Sequence, residues 1–335
     1  SVKPEIVKDA AKFVMLQANA MNRRKFVTER IKKLSEFAET FPENRIEWGD
    51  GTRGFITSGI SYLYVKEVFP EASILKLGMV WPLPEKMIRS FAEQVDELFI
   101  VEELDPFLEL HIKAMGIRCH GKDLIPAEGE LNPGIVKKAI TGEESSGFAP
   151  VALPPRPPNM CPGCPHRGLF YALAKQKVFV AGDIGCYTLG FLPPLSAMDS
   201  CVCMGASVTV AHGMAKALGK EGEGRVVAVL ADSTFIHSGI TAIINSVYND
   251  SYSTVIIVDN RTTAMTGHQP NPGVDMEAMN LSGFGRISIE AVVKALGVEH
   301  VTLIKPYKVK KSIAAIKEAL AYEGVSAVSY THLTL

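Results

Sequence analysis

Two oxygen-bearing side chains at the ends of successive apolar runs carry the clearest chemistry in this chain. They are Asp232, in Ala231-Asp232-Ser233, and Asn260, in Asp259-Asn260. The run VVAVL at 226–230 reads as a buried parallel strand, GITAIINSVYN at 239–249 as an amphipathic helix, and TVIIVDN at 254–260 as a second strand. A strand–helix–strand crossover is right-handed in nearly all proteins, so the two strands run parallel and finish on one edge of the sheet. Asp232 and Asn260 therefore converge although they are distant in sequence. A carboxylate and a carboxamide oxygen directed at one point suit a hard divalent cation that keeps places for phosphate oxygens, as Mg²⁺ does. Taken singly, each has a plainer use, Asp232 as a helix cap and Asn260 as a strand terminus.

The pair resembles the thiamine diphosphate motif, in which Gly-Asp-Gly or Gly-Asp-Ser is answered further along by an Asn pair or Asp-Asn. The resemblance implies that Asp232 and Asn260 bind Mg²⁺ together with the backbone carbonyl of Thr262. Ala231 stands where Gly is usual, which tightens the turn without touching a ligand.

The elements that must position these residues follow from length and pattern. With 335 residues, 47% of them hydrophobic, the chain has material for two ordinary domains with sizeable cores. A formal charge of −1 leaves no basic footprint for nucleic acid, and no apolar run reaches the roughly 18 residues of a membrane span. Neither nucleic acid nor a membrane is an expected partner, and no stretch reads as a signal peptide. Five of the six cysteines, Cys161, Cys164, Cys186, Cys201 and Cys203, fall in spacings typical of metal or cluster ligands, with Cys119 apart. A reducing cytoplasm is the expected location. A start at Ser1 in a charged helical stretch reads as a piece of something longer.

The predicted fold class is α/β, with two parallel-sheet domains. Residues 1–45 read as a helical linker segment, helical over 4–40, whose Lys and Arg between 23 and 33 make a solvated face. Residues 46–145 alternate strand and helix (GFITSG, SYLYVKEVF, ILKLG, a helix at 85–94, LFIVEE) and imply a small parallel sheet. Residues 146–160 read as a Pro-rich linker. Residues 161–328 form a second α/β domain with strands near 178–181, 226–230, 254–258 and 300–303. The polar ending SYTHLTL suggests that 329–335 is a non-native tail. The Gly-rich stretch Gly49-Asp50-Gly51-Thr52-Arg53-Gly54 matches a dinucleotide pattern but leads into a strand instead of a helix. Gly78, at the offset where a thiamine-type partner would stand, has no ligating side chain, so this stretch reads as a turn. Glu102 and Glu103 are successive strand residues on opposite faces and cannot act as a carboxylate pair.

Cys161-Pro-Gly-Cys164-Pro-His166 opens the second domain, Cys186 lies in the turn DIGCYTLG, and Cys201 and Cys203 lie in SCVCMGAS. These spacings serve zinc and an iron–sulfur cluster equally well. A thiamine site nearby favours the cluster, since a carbanion beside a one-electron acceptor can be oxidised there. Cys161, Cys164, Cys186 and Cys203 are then the ligands of a [4Fe-4S] cluster.

CPGCPHR, DIGCYTLG, CMGAS, ADSTFIHSG and VDNRTTAMTGHQPNPG together resemble the 2-oxoacid:ferredoxin oxidoreductase superfamily, and within it the large (alpha) subunits of indolepyruvate:ferredoxin oxidoreductases. FITSG, KLG, PLPE and VEELDPFLE in residues 50–140 resemble the transketolase C-terminal-like domain of the same subunits. The resemblance implies oxidative decarboxylation of aryl pyruvates to acyl-CoA with electrons passed singly to ferredoxin. It also implies thiamine diphosphate and Mg²⁺ as cofactors, a smaller (beta) subunit as partner, and a 2-oxoacid and coenzyme A as substrates. Ile184, Gly185, Cys186, Gly205 and Ser233 would line the diphosphate, with Ala264, Met265 and Thr266 following the metal loop past it. His237 and His268, on either side of the metal ligands, are the candidates for moving protons; each also serves as a histidine bonded to a loop carbonyl. His166 is expected behind these groups. Family members add a pyrimidine-binding domain and a cysteine-rich ferredoxin-like domain, so this stretch alone is expected to turn over little or no substrate. Two other readings stay open, the same chemistry on pyruvate or another 2-oxoacid, and a non-catalytic metal-stabilised assembly module.

Overall fold

The structure, a computed structural model, describes residues 6–144, 153–274 and 285–332. The chain divides into a unit at 1–152 and a unit at 153–335. Part of the linker expected at 146–160 and residues 333–335 lie outside the described residues. Among the described residues no helix is long and apolar enough to cross a membrane.

The first unit begins with α1 (Ala10–Phe13) and α2 (Gln17–Ala38). The single helix expected over 4–40 is broken at Val14, which is extended and whose carbonyl accepts from the Asn19 side chain at 2.8 Å. Then come β1 (Arg45–Glu47), β2 (Arg53–Ser58), α3 (Ser61–Val68), β3 (Ser73–Leu77), α4 (Glu85–Ala92), β4 (Glu97–Val101), α5 (Phe107–Ala114) and α6 (Pro133–Thr141). The sheet order is β1-β3-β2-β4, with β1 antiparallel and the other neighbours parallel. Strand alternation splits the core: Ile56, Leu75 and Ile100 pack with Ile88, Phe91 and Ile112 on one face, and Phe55, Ile74 and Phe99 with Val65 and Val136 on the other. The glutamates after β4 are structural and separate. Glu102 accepts from the N–H groups of Leu108 and Glu109 at the start of α5, and Glu103 accepts from Leu131 N–H.

The second unit holds α7 (Pro165–Ala174), β5 (Phe179–Gly182), a 3₁₀ turn at Cys186–Phe191, β6 (Ser200–Cys201), α8 (Ser207–Leu218) and β7 (Val226–Ala231). After β7 the chain turns at once into α9 (Asp232–Thr234), a π-helical turn (Phe235–Gly239) and α10 (Ile240–Tyr248). It finishes with β8 (Thr254–Asp259), α11 (Ile289–Ala295), β9 (His300–Leu303), α12 (Val309–Leu320) and β10 (Ser326–Thr331). All pairings in its sheet, ordered β6-β5-β7-β8-β10-β9, are parallel. Val227 and Val229 face α7 and α12, while Val226, Ala228 and Leu230 face α8 and α10, so a strand buried on both sides reads as one continuous apolar run.

Of the stretch 329–335, expected to be a tail, residues 329–331 continue β10. Ser329, Tyr330 and Thr331 are residues of β10 between β8 and β9, and Tyr330 is fully buried. The Ser329 hydroxyl donates to the Ile257 carbonyl at 3.3 Å.

Candidate functional site

In the second sheet the chain moves from β5 outward to β6, then returns to the far side of β5 for β7 and β8. The strand order therefore reverses between β5 and β7, and loops leaving their carboxyl ends must diverge and open a crevice. A cavity of about 160 Å³ lies there. Of the expected site residues, Ile184, Gly185, Cys186, Ser233, Asn260, Thr262, Ala264, Met265 and Thr266 line it. His166, Tyr187, Met204, Ala231 and Thr263 line it as well. His237 and His268 are exposed and do not line it. His237 belongs to the π-helical turn that follows α9, and His268 sits at φ 62° in the loop after the cavity wall.

Asp183 assembles one wall. Fully buried, it accepts from Ile184 N–H at 2.9 Å and Gly205 N–H at 2.8 Å through Oδ1, and from Ser207 N–H at 3.2 Å through Oδ2. One side chain thus ties the turn after β5 to the loop entering α8. Thr188 adds to the turn, its hydroxyl donating to the Asp183 carbonyl at 2.7 Å and accepting from Gly185 N–H at 3.0 Å. Gly205 does not line the cavity but shapes the second loop: its φ is +91°, and a Cβ there would lie 2.2 Å from Ser238 Oγ. The sequence displayed Asp183 inside the DIGC stretch, yet only the fold reveals that two of its three partners, Gly205 and Ser207, come from further along the chain.

The opposite wall is the metal-type loop. Ala231 pairs with Val258, which brings Asp232 level with Asp259 and close to Asn260. Asp232 is fully buried, Asp259 and Asn260 nearly so. Asp232 Oδ2 accepts from Asn271 Nδ2 at 3.0 Å, and Oδ1 is buried without a hydrogen-bond partner. The loop that supplies Asn271 is closed on itself by Thr263 N–H to the Gln269 carbonyl at 2.9 Å and by Gln269 Nε2 to the Thr266 carbonyl at 2.7 Å. An unpartnered buried carboxylate oxygen beside a second carboxylate and a carboxamide is expensive in protein alone and suits a divalent cation.

Burial pushes the Asp232 carboxyl up to about 6, with the neighbouring Asp259 adding to the shift against the opposing bonds from Asn271 and Ser233. A folded-state value above the unfolded one stabilises the fold at low pH and loses that contribution as pH rises through it. In cation-free protein the melting temperature relative to Asp232→Asn should therefore fall between about pH 4 and pH 6. Mg²⁺ with thiamine diphosphate should abolish the fall; a difference that is flat with pH would refute the assignment.

The thiols separate into two neighbourhoods. Burial raises the Cys164 thiol, and the nearby Cys161 and Cys186 raise it further. Cys161 is exposed, Cys164 buried and Cys186 half-buried. Cys203 is exposed and influences Cys201. Among the described residues no three His, Cys, Asp or Glu side chains are grouped to hold one metal ion. His166, buried at the start of α7, is pushed down to about 4 by burial, and its Nδ1 is hydrogen-bonded to the Tyr330 hydroxyl.

Residues 183–330 match the family described as Thiamine pyrophosphate enzyme, C-terminal TPP binding domain. The sequence is 38% identical to the indolepyruvate oxidoreductase subunit IorA of Archaeoglobus fulgidus, over 94% of this chain and 54% of that protein. It is 38% identical to the IorA subunit of Thermococcus kodakarensis, over 96% of this chain and 55% of that protein. For the IorA subunit of Methanothermobacter marburgensis the figures are 36%, 98% and 57%. The chain thus spans about half the length of these relatives.

Proposed function

We propose that this chain, 36–38% identical to IorA subunits of indolepyruvate oxidoreductase over about half their length, holds the diphosphate end of the cofactor in a thiamine diphosphate-dependent 2-oxoacid oxidoreductase. The substrate class is aryl pyruvates such as indolepyruvate, the acyl group passes to coenzyme A, and electrons leave to ferredoxin. A smaller subunit completes the enzyme, which works in the cytoplasm. The observation that carries the reading is the unpartnered buried oxygen of Asp232 beside Asn260, at the rim of a cavity formed by the 184–186 turn and the 262–266 loop.

When bound, thiamine diphosphate supplies the carbanion chemistry by which a 2-oxoacid loses carbon dioxide. The chain's own residues bind and orient it. Asp232, Asn260 and the Thr262 carbonyl would hold Mg²⁺, which would neutralise diphosphate charge. Ile184, Gly185 and Ser233 present backbone and short side chains that let the ligand approach closely. Ala264, Met265 and Thr266 close the far side, and the Gln269 clamp fixes their loop. Cys161, Cys164 and Cys186, whose thiols influence one another, are the ligands proposed for an iron–sulfur centre, and Cys186 at the cavity wall would put that electron acceptor next to the cofactor.

Two outcomes test these assignments. Calorimetric titration with thiamine diphosphate should show saturable binding in Mg²⁺ and none in EDTA; equal binding in both would remove the cation from the site. After anaerobic reconstitution, iron and acid-labile sulfide should stay with the protein through desalting and be lost in Cys164→Ser. Protein that retains neither would remove the iron–sulfur centre.

A further inference from the structure

We propose that α2 is a docking arm for a second copy of this chain, its apolar stripe lying on the outer face of α5 and the Trp81 loop of that copy in a reciprocal exchange. Ala20, Val27, Ile31, Leu34 and Ala38 fall on one side of α2, at the spacing of a helix that packs on another element. Yet of its 22 residues only Ala38 is buried. A helix draws most of its stability from packing such a face, so the stripe lacks its partner in the single chain. Arg23, Arg24 and Arg30 border the stripe, and Glu29 and Glu36 stand on the opposite side of the helix. None of the six basic side chains between residues 21 and 33 forms an ion pair among the described residues. A solvated face accounts for these cations but not for the stripe between them. A second α2 is a poor partner, since it would set the same arginines against each other.

The complementary surface is on the same unit. α5 buries Leu108 and Ile112 and leaves Phe107, Leu110 and Ala114 exposed on its outer side, with His111 half-buried among them. Trp81, more than half exposed, sets its ring 5.2 Å from that of His111 and 6.3 Å from that of Phe107 between centroids. Leu104 extends the patch; it is 59% exposed at φ 56°, a left-handed conformation that strains a leucine. Contiguous exposed apolar surface of this kind marks an interface. Its charge is opposite to that of α2. Residues 102–112 hold four acidic side chains and no Lys or Arg, and Glu103 and Asp105 stand exposed beside Leu104. The nearby Lys113 and Lys122 are already held, by Glu109 and by the Glu102 carbonyl. The root of α2 lies at the same end of the unit. Glu39 accepts from the N–H groups of Lys86 and Met87, and Asn44 from those of Gly78 and Met79, on either side of the Trp81 loop. A two-fold axis that lays one α2 on the other copy's α5 makes the reciprocal contact as well, and the assembly closes as a dimer.

Sedimentation velocity on the 335-residue chain, from about 1 to 100 μM, should show a monomer–dimer equilibrium that weakens several-fold as NaCl rises from about 0.05 to 0.5 M. Ile31→Asp and Leu110→Asp, each checked for folding by circular dichroism, should each weaken the dimer by at least roughly tenfold. Tyr248→Asp, which changes an exposed side chain of the second unit, should leave it unaltered. Mixing the Ile31→Asp and Leu110→Asp chains should restore association above that of either alone, because one of the two α2–α5 contacts then joins two intact faces. Mixtures that associate no better than the separate variants overturn the exchange. A dimer lost in Ile31→Asp but kept in Leu110→Asp assigns the contact to α2 pairing and overturns it too. So does a chain that stays monomeric at every concentration; if that monomer sediments with phosphatidylserine vesicles, the basic stripe belongs to an anionic lipid surface instead.

Discussion

Replacing Asp232 by alanine is expected to weaken Mg²⁺-dependent binding of thiamine diphosphate by at least roughly 100-fold, because losing even an outer partner of a metal ligand costs about 10–100-fold. The fold should survive. In the absence of a cation the Asp232 carboxyl is a burden, fully buried beside Asp259 with one oxygen unpartnered. Removing it relieves that cost, so the variant should melt at or above the wild-type temperature near pH 7 in EDTA while failing to bind. This opposite movement of stability and affinity marks a binding group as distinct from a structural one. Asn271→Ala should do less. It removes the 3.0 Å bond that orients Asp232 Oδ2 and should weaken binding by about tenfold, with the ligand itself kept. Asp232→Ala protein that binds the cofactor as wild type does would end the reading.

Asp183→Ala should do the reverse and cost mainly stability. It strips the acceptor from the N–H groups of Ile184, Gly205 and Ser207, in a place with no exposure to solvent. Each buried donor left unpaired costs about 1–3 kcal/mol, so a total on the order of 3–5 kcal/mol is expected after relaxation. For a unit of this size the melting temperature should drop by roughly 10 °C. Asp183→Asn keeps one acceptor oxygen but turns an amide hydrogen-bond donor toward at least one of the three N–H groups, so it should fall between the two. Both variants should also lose cofactor affinity, since Asp183 joins the two loops that frame one wall. A melting temperature within 2 °C of wild type, on the order of 1 kcal/mol, would mean that these loops hold together by other means.

The contrast between the two aspartates also shows where sequence reasoning works. Asp232 and Asn260 were legible because each ends an uninterrupted apolar run, and two such runs around an amphipathic helix leave almost no choice of topology. The continuous runs marked strands covered on both faces, and those strands form the centre of the second sheet. What stayed hidden depends on partners that are far apart in sequence. Beyond its neighbour Ile184, Asp183 draws donors from residues 205 and 207, and local pattern carries no trace of those two. His166 sits in a thiol-rich stretch that drew attention to its cysteines, while the hydroxyl its Nδ1 meets, that of Tyr330, lies at the other end of the domain. β1 was missed because Arg45-Ile46-Glu47 is a short, charged edge strand, whose role is to pair with β3 and expose its other side to water. His237 and His268 stand near the metal ligands in sequence, and neither lines the cavity.

The central claim is that the carboxyl ends of β7 and β8 clamp a cation-bridged diphosphate. Its most direct test is a crystal structure with thiamine diphosphate in which Mn²⁺ replaces Mg²⁺ and is located by anomalous scattering. The expected result is one strong peak at about 2.1–2.2 Å from Asp232 Oδ1, the Asn260 side-chain oxygen and the Thr262 carbonyl, with the diphosphate filling the remaining places. A peak elsewhere, or a bound diphosphate whose cation is held without Asp232, would contradict it.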